Sequence, residues 1–106
     1  MRILFDQGTS AAPLRRALTD HTVRTAYEMS WTQLSNGALL RAAEVEFDAL
    51  ITADKNLRYQ QNIAGNRLAV LILPTTSLPG IRTHQAPVVA AVDKLRPGDV
   101  VELQFP

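Results

Sequence analysis

Three carboxylates carry the chemistry this chain could do. Asp6 ends the apolar run 1–5, Asp54 follows the apolar run 49–53, and Glu28 stands where a β-branched and aromatic stretch, 22–27, stops. A short apolar run that breaks off at an acid reads as a buried strand delivering a carboxylate to its C-terminal end. Open α/β sheets bind ligands at that end. If the three strands are neighbours, three like charges meet at one edge, where a hard cation or raised pKa values would relieve their repulsion. Oxygen ligands suit Mg²⁺ or Mn²⁺, and a chain with no cysteine and two histidines gives little reason to invoke zinc. A carboxylate-held Mg²⁺ can activate water and stabilise a phosphoryl transition state, so phosphodiester hydrolysis is the natural reaction class. Asp54 and Asn56 read equally well as caps of the helix that follows.

The elements that must position these acids follow from periodicity. Pro13 suits a first helical turn. Leu14, Ala17 and Leu18 recur at i, i+3 and i+4, which predicts a helix over 12–18 with Arg15 and Arg16 on its outer side. Ser35 and Asn36 are competent caps for a helix whose apolar face is Leu39, Leu40, Ala43 and Phe47. Trp31, the only tryptophan, reads as an anchor for the loop 29–35. Residues 57–66 are predicted as a short helix closed by Gly65 or Asn66, and 68–73 as a continuously apolar strand covered on both faces. Pro79 and Gly80 predict a loop over 78–82. Pro87 opens a last helix that turns Val88, Val89, Val92 and Leu95 inward. Val101, Leu103 and Phe105 then alternate with Glu102 and Gln104 in an edge strand, where a second copy could pair to make a homodimer. The order β-α-β-α-β-α-β-α-β predicts an α/β fold with a mostly parallel sheet, right-handed crossovers and flanking helices in three Rossmann-like layers.

Size and composition narrow the function classes. A chain of 106 residues makes one domain. A formal net charge of +1 gives no global basic field, so any nucleic-acid binding must come from a local patch. Asp6 interrupts the first apolar run too early for a signal peptide, and no apolar stretch approaches the roughly 20 residues that span a bilayer. Without cysteine there are no disulfides or thiol nucleophiles. The expected setting is cytoplasmic, with no membrane partner. There is no Gly-rich phosphate loop, no GxSxG and no HExxH. His21 and His84 are read as surface histidines.

The segment Arg2-Ile3-Leu4-Phe5-Asp6-Gln7-Gly8, the helix start Asn36-Gly37-Ala38-Leu39-Leu40 and the stretch from Phe47 to Asn62 occur together in this order. This set resembles the small PIN-like proteins of the DUF5615 family, related to the Mut7-C domain. The resemblance implies a PIN-like fold, a Mg²⁺-dependent ribonuclease acting on RNA, and often a toxin that pairs with a small antitoxin protein. By position, Asp6 matches the first-strand acid and Asp54 the acid that ends the third strand. Gln7 and Asn36 stand where many relatives carry acids. Their amide oxygens can still ligate a metal but bring no charge to offset it. Glu28 could compensate if it points inward, and so could Glu44.

For RNA, Arg24, Arg41, Lys55, Arg58 and Arg67 are candidates for phosphate contacts near the acidic edge. Tyr59 could stack on a base, and Asn56, Gln60, Gln61 and Asn62 could bond to bases or phosphates. Each also reads as an ordinary surface or packing residue. Three functions are expected in descending order: a metal-dependent endoribonuclease, a PIN-like binding module that has lost cleavage, and a receiver-like phosphoacceptor. The receiver reading would use Asp54 with Thr75 or Thr76, but it lacks the second acid after the first strand and the lysine after the fifth.

Overall fold

Strand side chains alternate between two faces, and here both faces are apolar. Ile3, Phe5, Val23, Ala49, Ile51, Ala69 and Leu71 join one buried cluster, while Leu4, Leu50, Val70 and Ile72 join another. A strand that is apolar on both sides must be covered on both sides. The computed structural model, which describes residues 1–6, 12–55 and 67–105, shows how.

Five strands, β1 (Arg2–Phe5), β2 (Thr22–Thr25), β3 (Ala49–Thr52), β4 (Ala69–Ile72) and β5 (Val100–Glu102), form one sheet in the order β2-β1-β3-β4-β5. Every pairing is parallel, with Leu4 opposite both Arg24 and Leu50. The helices are α1 (Ala12–Ala17), α2 (Asn36–Glu46), α3 (Leu78–Thr83) and α4 (Gln85–Lys94). Leu39, Leu40 and Ala43 of α2 cover the Leu4–Leu50 face. Leu14 of α1, Ile81 of α3, and Val88 and Val92 of α4 cover the Ile3–Ile51 face. The result is the expected three-layer α/β arrangement, with β5 at one edge of the sheet as its alternation predicts.

Two expectations are corrected. Residues 78–82 are not a loop: they lie in α3. Ser77 caps the helix by accepting from the Gly80 N–H, and Pro79 sits in the first turn, where its missing N–H removes nothing. Gly80 fits tightly there, because a Cβ would meet Thr75 Cγ2 at 3.2 Å. The Pro-Gly pair that reads as a breaker is therefore a helix start. The crossovers also do not share one hand. The steps β1 to β2 and β4 to β5 run in opposite directions across the sheet, yet α1 and the α3–α4 pair lie on the same face. The last crossover therefore has the opposite hand to β1-α1-β2 and β2-α2-β3. The apolar side of the last strand and its continuation, Val101, Leu103 and Phe105, faces that layer and has to be covered there. The helix predicted over 57–66 lies outside the described residues. No helix among the described residues is long and apolar enough to cross a membrane.

Candidate metal site at the end of β1 and β3

The strand order fixes where a ligand would sit. From β1 the chain steps to β2 on one side, then returns past β1 to β3 on the other, so the winding reverses between β1 and β3. A crevice opens outside the carboxyl ends of the strands at such a reversal. Asp6 follows β1 and Asp54 lies two residues past β3, so both acids arrive at this point. The Asp6 N–H donates to the Ile51 carbonyl at 2.9 Å, which holds Asp6 against β3.

Thr52 joins the two acids. Its hydroxyl donates to Asp6 Oδ2 at 2.8 Å and accepts from the Asp54 N–H at 3.0 Å. Its side chain is fully buried at the last position of β3, the one buried polar residue among those described. A buried hydroxyl needs partners, and Thr52 finds them in the two acids. Asn36 completes the chain of contacts: its Nδ2 donates to Asp54 Oδ2 at 3.1 Å. Asn36 is the first residue of α2, directly after Ser35, whose side chain accepts from the Ala38 N–H. The cap therefore fixes the end of α2 that reaches Asp54. Asp6, Asp54 and Asn36 were singled out in the sequence. Thr52 was not, because a threonine inside an apolar run reads as an ordinary β-branched strand residue. Its place two residues before Asp54 is the signal that could have singled it out.

The other acids lie elsewhere. Glu28 is held by Arg15 of α1, with Nη2 to Oε1 at 2.6 Å and Nη1 to Oε2 at 3.3 Å, and it also accepts from the Thr25 N–H. The Arg15 hydrogen bond and then the Thr25 N–H hold its carboxyl below the ordinary value, against a smaller opposing effect of desolvation. α1 packs on the opposite face of the sheet from α2, so the helix that engages Glu28 is not the helix that meets Asp54. Glu44 accepts from the Arg67 and Leu68 N–H groups just before β4, at the other end of the sheet. It cannot compensate for Asn36. No group of three acidic, histidine or cysteine side chains able to hold a metal occurs among the described residues.

The proposed cations scatter. Lys55 is at the acidic edge and lies 3.9 Å from Glu102. Arg41 is exposed on α2, about one and a half turns beyond Asn36. Arg24 is exposed on β2 and donates to the Val23 carbonyl. Arg67 is removed from the acidic edge: it precedes β4 and donates to the Glu44 carbonyl. Gln7, Asn56, Arg58, Tyr59, Gln60, Gln61 and Asn62 lie outside the described residues.

Both histidines are built in rather than loose on the surface. His21 Nε2 is 3.5 Å from Asp93 Oδ1, with the side chain only 13% exposed. His84 stacks on Phe105 with centroids 4.4 Å apart, and its Nδ1 is 2.8 Å from the Gly80 carbonyl. Trp31 anchors its loop as expected, edge-on to Phe47 at 6.0 Å.

Two carboxylates and an amide at a crevice suit a hard divalent cation, since Mg²⁺ commonly takes one or two carboxylates and fills its other positions with water and substrate phosphate oxygens. No family model, curated protein or solved structure matches this chain.

Proposed function

We propose that this protein is a metal-dependent endoribonuclease of the PIN-like class, working in the cytoplasm as the toxin of a toxin–antitoxin pair. One observation carries the catalytic part: Asp6 and Asp54, from separate strands, are linked through one buried hydroxyl at the winding reversal of the sheet. The tie runs from the Asp6 carboxylate through the Thr52 hydroxyl to the Asp54 main chain, and Asn36 holds the Asp54 carboxylate. Asp6 and Asp54 would hold Mg²⁺ or Mn²⁺, and Asn36 would steady Asp54 from α2. The bound ion would supply water activation and neutralise charge on the scissile phosphate. The chain's own task is to place both acids beforehand: the Thr52 hydroxyl holds the Asp6 carboxylate and the Asp54 main chain, and Asn36 orients the Asp54 carboxylate.

The commitment of Glu28 and Glu44 elsewhere favours a second reading, a PIN-like binding module in which the pair of acids persists without cleavage. A receiver-like function gains less. A doubly wound sheet of uniform hand would place the β4-to-β5 helix on the face of α2, whereas here α4 lies on the face of α1.

The test is cleavage of single-stranded RNA with Mn²⁺ or Mg²⁺ by wild type, Asp6→Asn and Asp54→Asn. Wild type should cleave, and each variant should lose at least about 100-fold in rate, at the low end of what a lost catalytic group removes. Variants that cleave like wild type, or a wild type that cleaves nothing while binding Mn²⁺ and RNA, would sink the nuclease reading. The latter result would establish the binding module.

A further inference from the structure

We propose that a groove along the outer edge of β2 carries the phosphate backbone of single-stranded RNA to the Asp6–Asp54 crevice, with Tyr27 stacking on a base at its end. This rests on the RNA-directed reading above and names the substrate path for that site. The groove has a volume of about 440 Å³, with Leu18 and Val23 as its floor and Arg15, Thr19, Thr22 and Arg24 among its walls. None of its lining side chains is acidic.

Its defining feature is a convergence of like charges. Arg24 Nη1 and Arg15 Nη2 both reach the Val23 carbonyl oxygen, at 3.0 Å and 3.5 Å. Two guanidiniums drawn to one oxygen repel each other. Glu28 bonds to Arg15 through the two-pronged contact described above and also feels the charge of Arg24, so one carboxylate faces two guanidiniums. His21, also in the lining, turns its Nε2 to Asp93. One cationic group is thus left over beside the hydroxyls of Thr19 and Thr22. A phosphodiester group supplies one negative charge and acceptor oxygens for these donors, and guanidinium groups match phosphate geometry well.

The groove points toward the site. β2 is the edge strand beside β1, and its pairing with β1 runs on past Thr25, where the Ala26 N–H donates to the Phe5 carbonyl at 2.8 Å. Phe5 lies opposite Thr25, so Ala26 is level with Asp6 and Tyr27 comes one residue further on. Neighbouring strands are roughly 5 Å apart, so Tyr27 follows directly on the residue beside Asp6, at the same end of the sheet. The Tyr27 side chain is 83% exposed, the most exposed large apolar residue among those described. An exposed ring beside an arginine-lined groove is the combination that binds single strands without reading their sequence.

The experiment is fluorescence anisotropy with a labelled single-stranded oligouridine in EDTA, across a salt series, alongside the cleavage assay. Wild type should bind. Arg24→Ala should weaken binding about tenfold and reduce the slope of log Kd against log salt by about 0.7, as one lost phosphate contact does for single strands. Arg24→Lys should keep the slope. Tyr27→Ala should weaken binding about tenfold with the slope unchanged. Glu28→Gln, which releases Arg15, should tighten binding severalfold.

A wild type that cleaves RNA while Arg24→Ala and Tyr27→Ala leave Kd, slope and KM unmoved would overturn the groove and leave the nuclease standing. Binding that follows these variants in a protein that cuts nothing would support the groove and remove the nuclease. A wild type with no affinity for the oligouridine would overturn the groove outright.

Discussion

The two ends of the sheet use acids in opposite ways. At the N-terminal end, three carboxylates take backbone N–H groups, two from a distant stretch of chain and one within its own turn. Asp48 accepts from the Arg2 N–H at 2.7 Å, Asp99 from the Arg96 N–H, and Glu44 from both the Arg67 and Leu68 N–H groups. These acids work as clasps, closing donors that chain turns would otherwise leave open. At the C-terminal end, Asp6 and Asp54 are instead drawn together through Thr52. The Thr52 hydroxyl holds the Asp6 carboxylate and the Asp54 main chain, while Asn36 holds the Asp54 carboxylate, so these two acids are bonded by side chains rather than by backbone N–H groups. On the reading proposed above, the contrast separates acids that hold the structure from acids that would take a ligand.

The widest test of that contrast compares neutralisation at the two ends. Glu44→Ala removes a charged acceptor from two backbone donors, with the Glu44 side chain only 15% exposed. Bonds of this kind contribute roughly 1.5–3 kcal/mol each, and the loss is not additive. About 3 kcal/mol is expected, which lowers Tm by at least roughly 10 °C in a domain of this size. The Arg67 ion pair adds little, because Arg67 is 67% exposed. Asp6→Asn keeps an acceptor for Thr52 and removes a like charge, so its Tm in EDTA should be unchanged or higher. Thermal melts that show both variants equally destabilised would erase the distinction between clasp and site.

Thr52→Val sharpens the same point without altering any charge. It preserves shape but removes the hydroxyl, so Asp6 and the Asp54 N–H lose their shared partner. Stability should fall by about 1–3 kcal/mol. Mn²⁺ affinity should fall about 10- to 100-fold, the scale for groups that orient metal ligands. Thr52→Ser should recover most of both. Calorimetric titration with Mn²⁺ reads the second effect, and an affinity unmoved by Thr52→Val would show that the hydroxyl does not organise the site.

The three-layer fold was legible because each strand announces itself. The runs ending at Phe5, Thr52 and Ile72 are apolar on both faces, and such strands require helices on both sides. The site was half legible for the same reason, since Asp6 and Asp54 are the polar residues at which two of those runs stop. What joins them was not, because Thr52 is a favoured strand residue whose hydroxyl matters only once β1 and β3 are neighbours. Glu28 and Glu44 were misplaced for a related cause. Sequence position puts Glu28 at the right end of a strand, but the face it turns to depends on where Arg15 of α1 packs. The hand of the last crossover was equally hidden, being set by the side of β5 that needs cover.

Ser35→Ala is expected to act more weakly. It removes the hydroxyl that accepts from Ala38 at the start of α2, a loss of about 1 kcal/mol. Because Asn36 is the next residue, the variant should also loosen the bond to Asp54 and weaken Mn²⁺ binding by a few fold. An equal loss of stability with unchanged Mn²⁺ affinity would show that α2 does not steady the acid.

Glu28 gives the smallest effect and the finest division, since it stands at the C-terminal end yet behaves as a clasp. It accepts the Thr25 N–H as Asp48 accepts that of Arg2, and Arg15 holds its carboxyl below the ordinary value of 4.5. A carboxylate with a lower pKa in the folded chain stabilises fully above its unfolded value. That contribution is lost as pH falls through the folded one. The Arg15–Glu28 pair is 44% and 40% exposed, so the gain is small and screened by salt. Urea unfolding should therefore show Glu28→Gln slightly less stable than wild type at pH 7, with the gap closing at low pH and in high salt. Mn²⁺ affinity should be the same in both proteins. A loss of Mn²⁺ binding in Glu28→Gln would return Glu28 to the site as a third carboxylate and move the boundary between clasp and ligand across β2.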